Sequence, residues 1–398
     1  MPKPRSLLLF IILFTTMFLF GFIENVKGVT YPLIKLNFNV SYERQGIMVS
    51  VLSISYVLFC VVGGILIGYW GVKKTFALGS IFMVLGLAGA FFLPGFLPVA
   101  SALFAVSAAF GLFEVSANAL ATQIFTSRAA LFFNLMHFFY GAGSSLSPLA
   151  AGYVAAALDW RMIYLFSIPL VFAFFVPSVF ARFPKTEGVG TAGIKKASFF
   201  TALKTPMVWV FAVVLGLMVG VEMSSPNWAG LYFQDVYSLS AETRGAVFVS
   251  NFFILFTISR LLSGFIIEKI GYIRSLFIAA FAAVIIFSAG FILGNKGIYV
   301  LPVLGFFIAI FWPTLLATAT VYFRQDSAVM TSAIIVIAGL INSGIQFTIG
   351  LINRFIGPAW GYRSALLNAV LVIAALLVLV KLQKKPYAQV TGEPHGSL

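Results

Sequence analysis

From Ser6 to Phe20 the chain reads SLLLFIILFTTMFLF, without one charge, and apolar runs of about 20 residues recur along its whole length. A helix of about 20 residues rises roughly 30 Å, the depth of a bilayer's hydrocarbon core. Only 9% of the 398 residues are charged and 61% are hydrophobic, whereas soluble domains carry roughly a quarter charged residues. The sequence therefore specifies a polytopic membrane protein of the all-α class. The first run lacks a small-residue cleavage site and is followed by further spans, so it reads as a helix and not as a signal peptide.

Twelve spans are expected, over 6–34, 46–69, 75–95, 98–124, 130–157, 162–181, 205–232, 245–268, 273–294, 298–323, 328–352 and 361–381. The only long polar interruption, RFPKTEGVGTAGIKKASFFTALK, divides them six and six. The expected organisation is an N-terminal six-helix bundle (1–181), a cytoplasmic central loop (182–204), a C-terminal six-helix bundle (205–385) and a cytoplasmic tail (386–398). With the amino terminus inside, sixteen Lys and Arg fall on the cytoplasmic side and seven outside, while Lys27 and Arg260 stay in the membrane and complete the 25. This bias places both termini in the cytoplasm, in a plasma membrane of the bacterial inner-membrane kind.

The net charge of +14 comes from basic residues scattered over short loops, with no aromatic-interleaved patch, so nucleic acid is not an expected partner. The lone cysteine, Cys60, sits inside an apolar run. It excludes an internal disulfide and a multi-cysteine metal site, and it reads as a packed, inert thiol. The sequon at Asn39-Val40-Ser41 is too short a signal to assign a compartment.

The halves resemble each other at an offset of about 200 residues. SYERQG (41–46) and SAETRG (240–245) share Ser-x-Glu-x-x-Gly, and GGILIGYWGVKK (63–74) and SGFIIEKIGYIR (263–274) share two spaced glycines and a basic end. Glu24 likewise answers to Glu222. Such repetition marks a transporter built from two related halves around a midplane site.

The loop between the second and third spans, and its counterpart after the eighth, resemble the major facilitator gate signature. The second copy supplies Gly264, Glu268, Lys269, Gly271 and, one position late, Arg274; the first keeps Gly64, Gly71 and Lys73 but has Gly68 and Tyr69 where an acid and a base are usual. The resemblance implies a cytoplasmic latch that does not touch substrate, weaker in the first copy.

An ionisable group at the centre of a spanning helix costs about 2.5–3.5 kcal/mol on insertion scales, so each needs a reason. The charged candidates are Glu24, Lys27, Glu114, Glu222 and Arg260, with His137 as the titratable neutral one. Glu24 and Lys27, about one helical turn apart, either form a dry orienting pair or place a titrating acid beside a cation that sets its affinity. Glu114 has no basic neighbour within a turn and carries Asn118 on the same face, so it is either a proton carrier or a neutral acid bonded to another helix. Asn134 and His137 share a face of span five, where the imidazole is a proton relay or a packed side chain. In GVEMSSPNWAGLY, Glu222, Asn227 and Trp228 offer polar partners and an apolar ring face to a sugar, beside Pro226, which can break the helix. Their bland counterpart is a gate glutamate and an interfacial tryptophan. Asn342 and Gln346 are an amide pair for hydroxyls or for helix packing; Asn251 is a weaker candidate. Trp312 and Pro313 form a wall or a kink. Arg260 snorkels, pairs with gate groups, or binds an anion.

Gly21, Phe22, Glu24 and Asn25 in span one, Glu114, Ala117 and Asn118 in span four, and Asn134, Leu135, Gly141 and Gly143 in span five resemble the fucose permease-like sugar:proton symporters. The resemblance implies the major facilitator fold, proton coupling at Glu24 and Glu114, and substrate binding by Asn134. Ala119 stands where that family has proline, glutamate replaces its usual first-helix aspartate, and Lys27 has no counterpart, which leaves room for an anionic substrate.

The expected function is proton-coupled symport of a sugar or similar polar small solute by alternating access. Substrate-binding candidates are Asn25, Lys27, Asn118, Asn134, His137, Glu222, Asn227, Trp228, Asn342 and Gln346. The alternatives are an organic-anion symporter or uniporter using Lys27 and Arg260, and a proton/drug antiporter. The chain carries no phosphate-cradling loop and no paired intramembrane histidines, so ATP-driven transport and metal hydrolysis are not expected, nor is any enzyme activity. No cofactor or metal is expected, the coupling ion is a proton with sodium as the alternative, and the partners are the solute and lipid, with the chain a monomer. Alkaline phosphatase fused after Gln383 is expected to be inactive and green fluorescent protein there fluorescent; a phosphatase inserted after Asn39 is expected to be active, and the reverse pattern overturns the orientation.

Overall fold

The computed structural model describes residues 4–125, 129–184 and 196–383. All regular structure among them is helical: α1 (Pro4–Asn25), α2 (Lys27–Asn37), α3 (Tyr42–Phe92), α4 (Phe96–Ile124), α5 (Ala129–Ala157), α6 (Trp160–Phe180), α7 (Lys196–Lys204), α8 (Pro206–Ser224), α9 (Gly230–Tyr237), α10 (Ala246–Ile270), α11 (Tyr272–Ile292), α12 (Leu304–Ile308), α13 (Phe311–Phe323), α14 (Ser327–Phe355), α15 (Pro358–Gly361) and α16 (Ser364–Gln383). Ten stretches among the described residues are long and apolar enough to cross a membrane. One of them, α3, contains two expected spans joined at Gly71 (φ 80°, ψ 166°); α5 adds a further apolar helix of 29 residues. The architecture is thus one of ten to twelve long apolar helices. Of the expected central loop, 185–195 lies outside the described residues and Lys196–Lys204 is helical; the tail at 386–398 also lies outside.

Several spans are not straight, each for a local reason. The first divides at Val26, whose carbonyl accepts from both Val29 N (3.0 Å) and Thr30 N (2.9 Å), and Pro32 further on lacks the amide that an unbroken ladder needs. At Pro226 the α-helix is interrupted but the span is not: a π turn over Ser225–Ala229 carries α8 into α9 and absorbs the proline. In the tenth span a turn separates α12 from α13, and Pro313 falls in the first turn of α13, where a missing amide costs nothing.

The repeat read from the sequence recurs in the backbone. Among the described residues six positive-φ positions form pairs about 200 residues apart, Asn39 and Ser238, Gly71 and Gly271, Gly95 and Gly294, while Arg324 and Gly357 have no such counterpart. Ser41 and Ser240 cap helices in the same way, accepting from Arg44 N and Thr243 N at 3.3 Å each. Across the halves, Ser50 donates to the carbonyl of Ser343 (2.9 Å) and Ser250 donates to that of Ser145 (2.6 Å). These bonds join α3 to α14 and α5 to α10, the two seams on which the halves meet.

At the end of the bundle away from the termini the seams are closed by charge. Glu43 at the start of α3 pairs with Arg354 at the end of α14. Lys35 of α2 lies 3.7 Å from Asp235 of α9, which also accepts from Tyr42. At the opposite end Lys73, in the expected latch, donates to the carbonyls of Val179 (2.6 Å) and Ala181 (2.9 Å), satisfying the last turn of α6. Gly71 and Gly271 supply the positive-φ turns of the two latch copies, whereas a side chain at Gly64 would meet open space. Lys269 at the end of α10 is exposed; the side chains of Gly264 and Glu268 lie outside the described residues.

Where α3 crosses α14, a Cβ on Gly350 would come within 2.7 Å of Gly46 Cα and 2.9 Å of the Tyr42 carbonyl. Gly350→Val therefore wedges this seam and separates Glu43 from Arg354. Overpacking of this kind costs about 1–3 kcal/mol, expected as a lower unfolding midpoint in detergent; an unchanged midpoint would mean that the seam does not carry the fold.

Candidate functional site

Between the two sets of helices lies a cavity of about 230 Å³. Its wall is largely apolar, with Phe20, Leu52, Phe110, Met223, Trp312 and Ile335 among the contributors, and the polar groups are few and placed by different helices. Glu24 and Lys27 come from the broken first span, Glu114 from α4, His137 and Tyr140 from α5, Glu222 from α8, Asn227 from the π turn, Arg260 from α10 and Asn342 from α14. Charged residues that the sequence marks as anomalous in a membrane thus converge on one chamber and do not face lipid.

Glu24 is held on both oxygens. Lys27 Nζ donates to Oε1 at 3.2 Å, and the Tyr140 hydroxyl donates to Oε2 at 2.7 Å. The pair straddles the break at Val26, so the interruption of the first span and the ion pair occupy the same depth. Lys27 also approaches Met223 Sδ at 3.9 Å.

Glu114 is differently placed. Its one hydrogen-bond partner among the described residues is Asn118, four residues on in the same helix, which donates to Oε1 at 2.8 Å. No cation lies within ion-pair distance of it among the described residues. Glu222 has neither a hydrogen-bond nor an ion-pair partner among the described residues, although it too faces the cavity. Arg260 stacks over the ring of Phe256 at 4.5 Å, and its buried Nε has no partner among the described residues.

Three expected substrate ligands lie behind the wall. Asn25 is buried and donates to the Gly21 carbonyl and to Ser144 Oγ, each at 3.0 Å, tying α1 to α5. Trp228 and Gln346 are buried together: Gln346 Oε1 accepts from Trp228 Nε1 (2.8 Å) and Asn227 Nδ2 (3.1 Å), while its Nε2 donates to Asn342 Oδ1 (3.0 Å). This amide network links the π turn to α14 and leaves Asn227 and Asn342 as its cavity-facing ends. Asn118 is not among the lining residues and meets the chamber only through its bond to Glu114. Of Asn134 only the backbone is described, in α5. Asn251 is exposed on α10.

Sequence reasoning missed the tyrosines. Tyr31, Tyr56, Tyr140 and Tyr164 all line the cavity, and Tyr164 donates to Thr30 Oγ1 at 2.9 Å. The one usable signal was spacing: Tyr140 follows His137 by three residues and so shares its helix face.

Long apolar helices in two related sets around a largely apolar chamber that gathers the charged residues of the spans have the architecture of a membrane transporter. The Major Facilitator Superfamily profile matches residues 13–347, and the chain belongs to that superfamily of bilayer-embedded small-molecule transporters. No curated protein sequence matches it. Among solved structures it is similar to a variant of the Escherichia coli fucose:proton symporter (TM-score 0.67, 17% identity, covering 96% of this chain and 100% of that one). It is also similar to a mutant of a nucleoside transporter (TM-score 0.76, 14% identity, 94% and 99% covered). A third is a bacterial homologue of the human lysosomal transporter Spinster, inward-facing and occupied (TM-score 0.71, 13% identity, 98% and 99% covered). At these identities the likeness is one of fold.

Replacing Gln346 by Leu removes the acceptor shared by Asn227 and Trp228 and strands two buried donors. Each unsatisfied donor costs about 1–3 kcal/mol, so Gln346→Leu is expected to unfold well below the wild type in detergent; equal stability would show that the network is dispensable.

Proposed function

We propose that the protein is a proton-coupled symporter for a sugar or similarly polar small solute, working by alternating access. The observation that carries the reading is Glu114, a carboxyl in the chamber wall whose described partner is a neutral amide on its own helix. A group that must take and lose a proton once per cycle has to reach water and lack a permanent cation. Glu114 lines the chamber and has no ion-pair partner among the described residues, while Glu24 is bonded on both oxygens, by Lys27 and by Tyr140.

Size narrows the solute. At about 230 Å³ the chamber is smaller than the roughly 300–1,000 Å³ pockets that hold drug-sized ligands, which favours a small polar solute over a bulky drug. Asn227 and Asn342 offer amides to hydroxyls, and Trp312 offers a flat apolar face. The fold neighbours that transport fucose with a proton, or nucleosides, support this class.

With both termini in the cytoplasm, the Glu43–Arg354 and Lys35–Asp235 pairs close the outer mouth. Opening it exchanges these ion pairs for water, and rocking the halves about the chamber exposes Glu114 to each side in turn. Each proton moving inward supplies about 2.3 kcal/mol per 100 mV of membrane potential, enough to accumulate solute against its gradient.

Glu114→Gln mimics the protonated acid permanently. In proteoliposomes supplied with labelled hexoses and hexose acids, this variant is expected to lose accumulation driven by an inward proton gradient while keeping solute exchange. Accumulation at the wild-type level would reject Glu114 as the proton carrier.

A further inference from the structure

Symport on Glu114 leaves the chamber's second cation without a role. Arg260 reaches the cavity from α10, stacked on Phe256, with a buried Nε that has no hydrogen-bond partner among the described residues. No carboxylate among those residues lies within ion-pair distance of it, whereas the other chamber cation, Lys27, is met by Glu24 at 3.2 Å. Nor does it snorkel away to the membrane surface, since it forms part of the cavity wall. A guanidinium does not escape its charge by losing a proton, and a cation held against an apolar wall calls for a counter-charge. Stacking on Phe256 covers one face and leaves the N–H edge, the part that matches a carboxylate bidentately.

We propose that the transported solute carries one carboxylate and that Arg260 binds it, so that the substrate class is a small hydroxylated acid such as a sugar acid and not a neutral sugar. This rests on the symport reading and supplies its coupling rule. Glu114 and Glu222, neither of them paired with a cation, are the acids that interact electrostatically with Arg260 across the chamber; His137 and Tyr140 of α5 also feel its charge, and Glu24 is already matched by Lys27. In the empty chamber an ionised glutamate balances Arg260 at a distance. When the solute's carboxylate takes that place, the glutamate accepts a proton from the outer water and gives it up on the inner side after the solute has left. Anion and proton therefore move together because they exchange places in neutralising one guanidinium.

The test uses the full chain in proteoliposomes loaded with a pH-sensitive dye, offered gluconate, glucuronate, glucose or fucose outside. The acids are expected to acidify the lumen at least about ten-fold faster than the neutral sugars, and Arg260→Gln to lower the acid-driven rate by about ten-fold or more, the scale of a lost charge-assisted hydrogen bond. Arg260→Lys keeps the charge without the planar fork, and is expected to raise the half-saturating acid concentration several-fold while sparing the maximal rate; an unchanged value overturns the assignment. Neutral sugars acidifying the lumen as fast as the acids, in wild type and Arg260→Gln alike, overturn the anionic substrate and leave proton symport standing. No acidification by any of the four removes the symport reading and the anion with it.

Discussion

The hydrocarbon core of a bilayer offers no water, and this one constraint orders the molecule. Backbone amides and carbonyls must find partners within the chain, so the segments that cross are helices. Side chains obey the same rule with greater force, because a charge facing lipid has nothing to meet it. The structure answers by turning Glu24, Lys27, Glu114, Glu222 and Arg260 toward one chamber between the halves. Two of the departures from regular helix lie at that chamber: the break at Val26 between Glu24 and Lys27, and the π turn that carries Asn227. Irregular backbone at membrane depth is tolerated where it lines a cavity, and here it supplies two of the lining groups.

A duplicated scaffold explains why the chamber sits where it does. Paired left-handed turns at Asn39 and Ser238, Gly71 and Gly271, and Gly95 and Gly294 set the lengths and directions of corresponding helices in the two halves. The seams carry matched bonds, Ser50 to Ser343 and Ser250 to Ser145, so each half leans on the other in the same manner. Two similar bodies meeting along two seams leave a space between the seams, which only side chains can fill or leave empty. The side chains do not repeat as the backbone does. Glu222 answers Glu24 in position, yet Glu24 is doubly bonded and Glu222 is not, so a repeated backbone carries two chemically different walls.

Much of this was legible from residues alone. The all-helical class, the recurring apolar runs, the internal repeat and the closeness of Glu24 and Lys27 follow from hydropathy and helical spacing, which are local. The rest depends on rotation about helix axes and on partners from distant spans, which are not. Asn25 is next to Glu24 in the chain but a helix turns about 100° per residue, and that rotation sends Asn25 to Ser144 while Glu24 faces the chamber. Asn227 and Trp228 divide in the same way, the first to the cavity and the second behind it. Asn342 and Gln346 share a face, but Gln346 is sealed by groups from another span. Tyr140 escaped because its partner lies in the first span and an isolated tyrosine in an apolar helix carries no signal of its own.

The two chamber cations show why a formal count of charges says little about such a site. Lys27 and Arg260 look equivalent in sequence, each a basic residue inside an apolar run. Lys27 has an acid within one turn of its own span, so its charge is neutralised locally and persists through any motion of the halves. Arg260 has an aromatic ring in that position and must find its counter-charge across the cavity. A cation neutralised within its own span keeps its partner when the two halves move as bodies. One whose counter-charge lies across the chamber meets a different electrostatic environment as the halves move, and this is the property that the proposed coupling through Arg260 draws on.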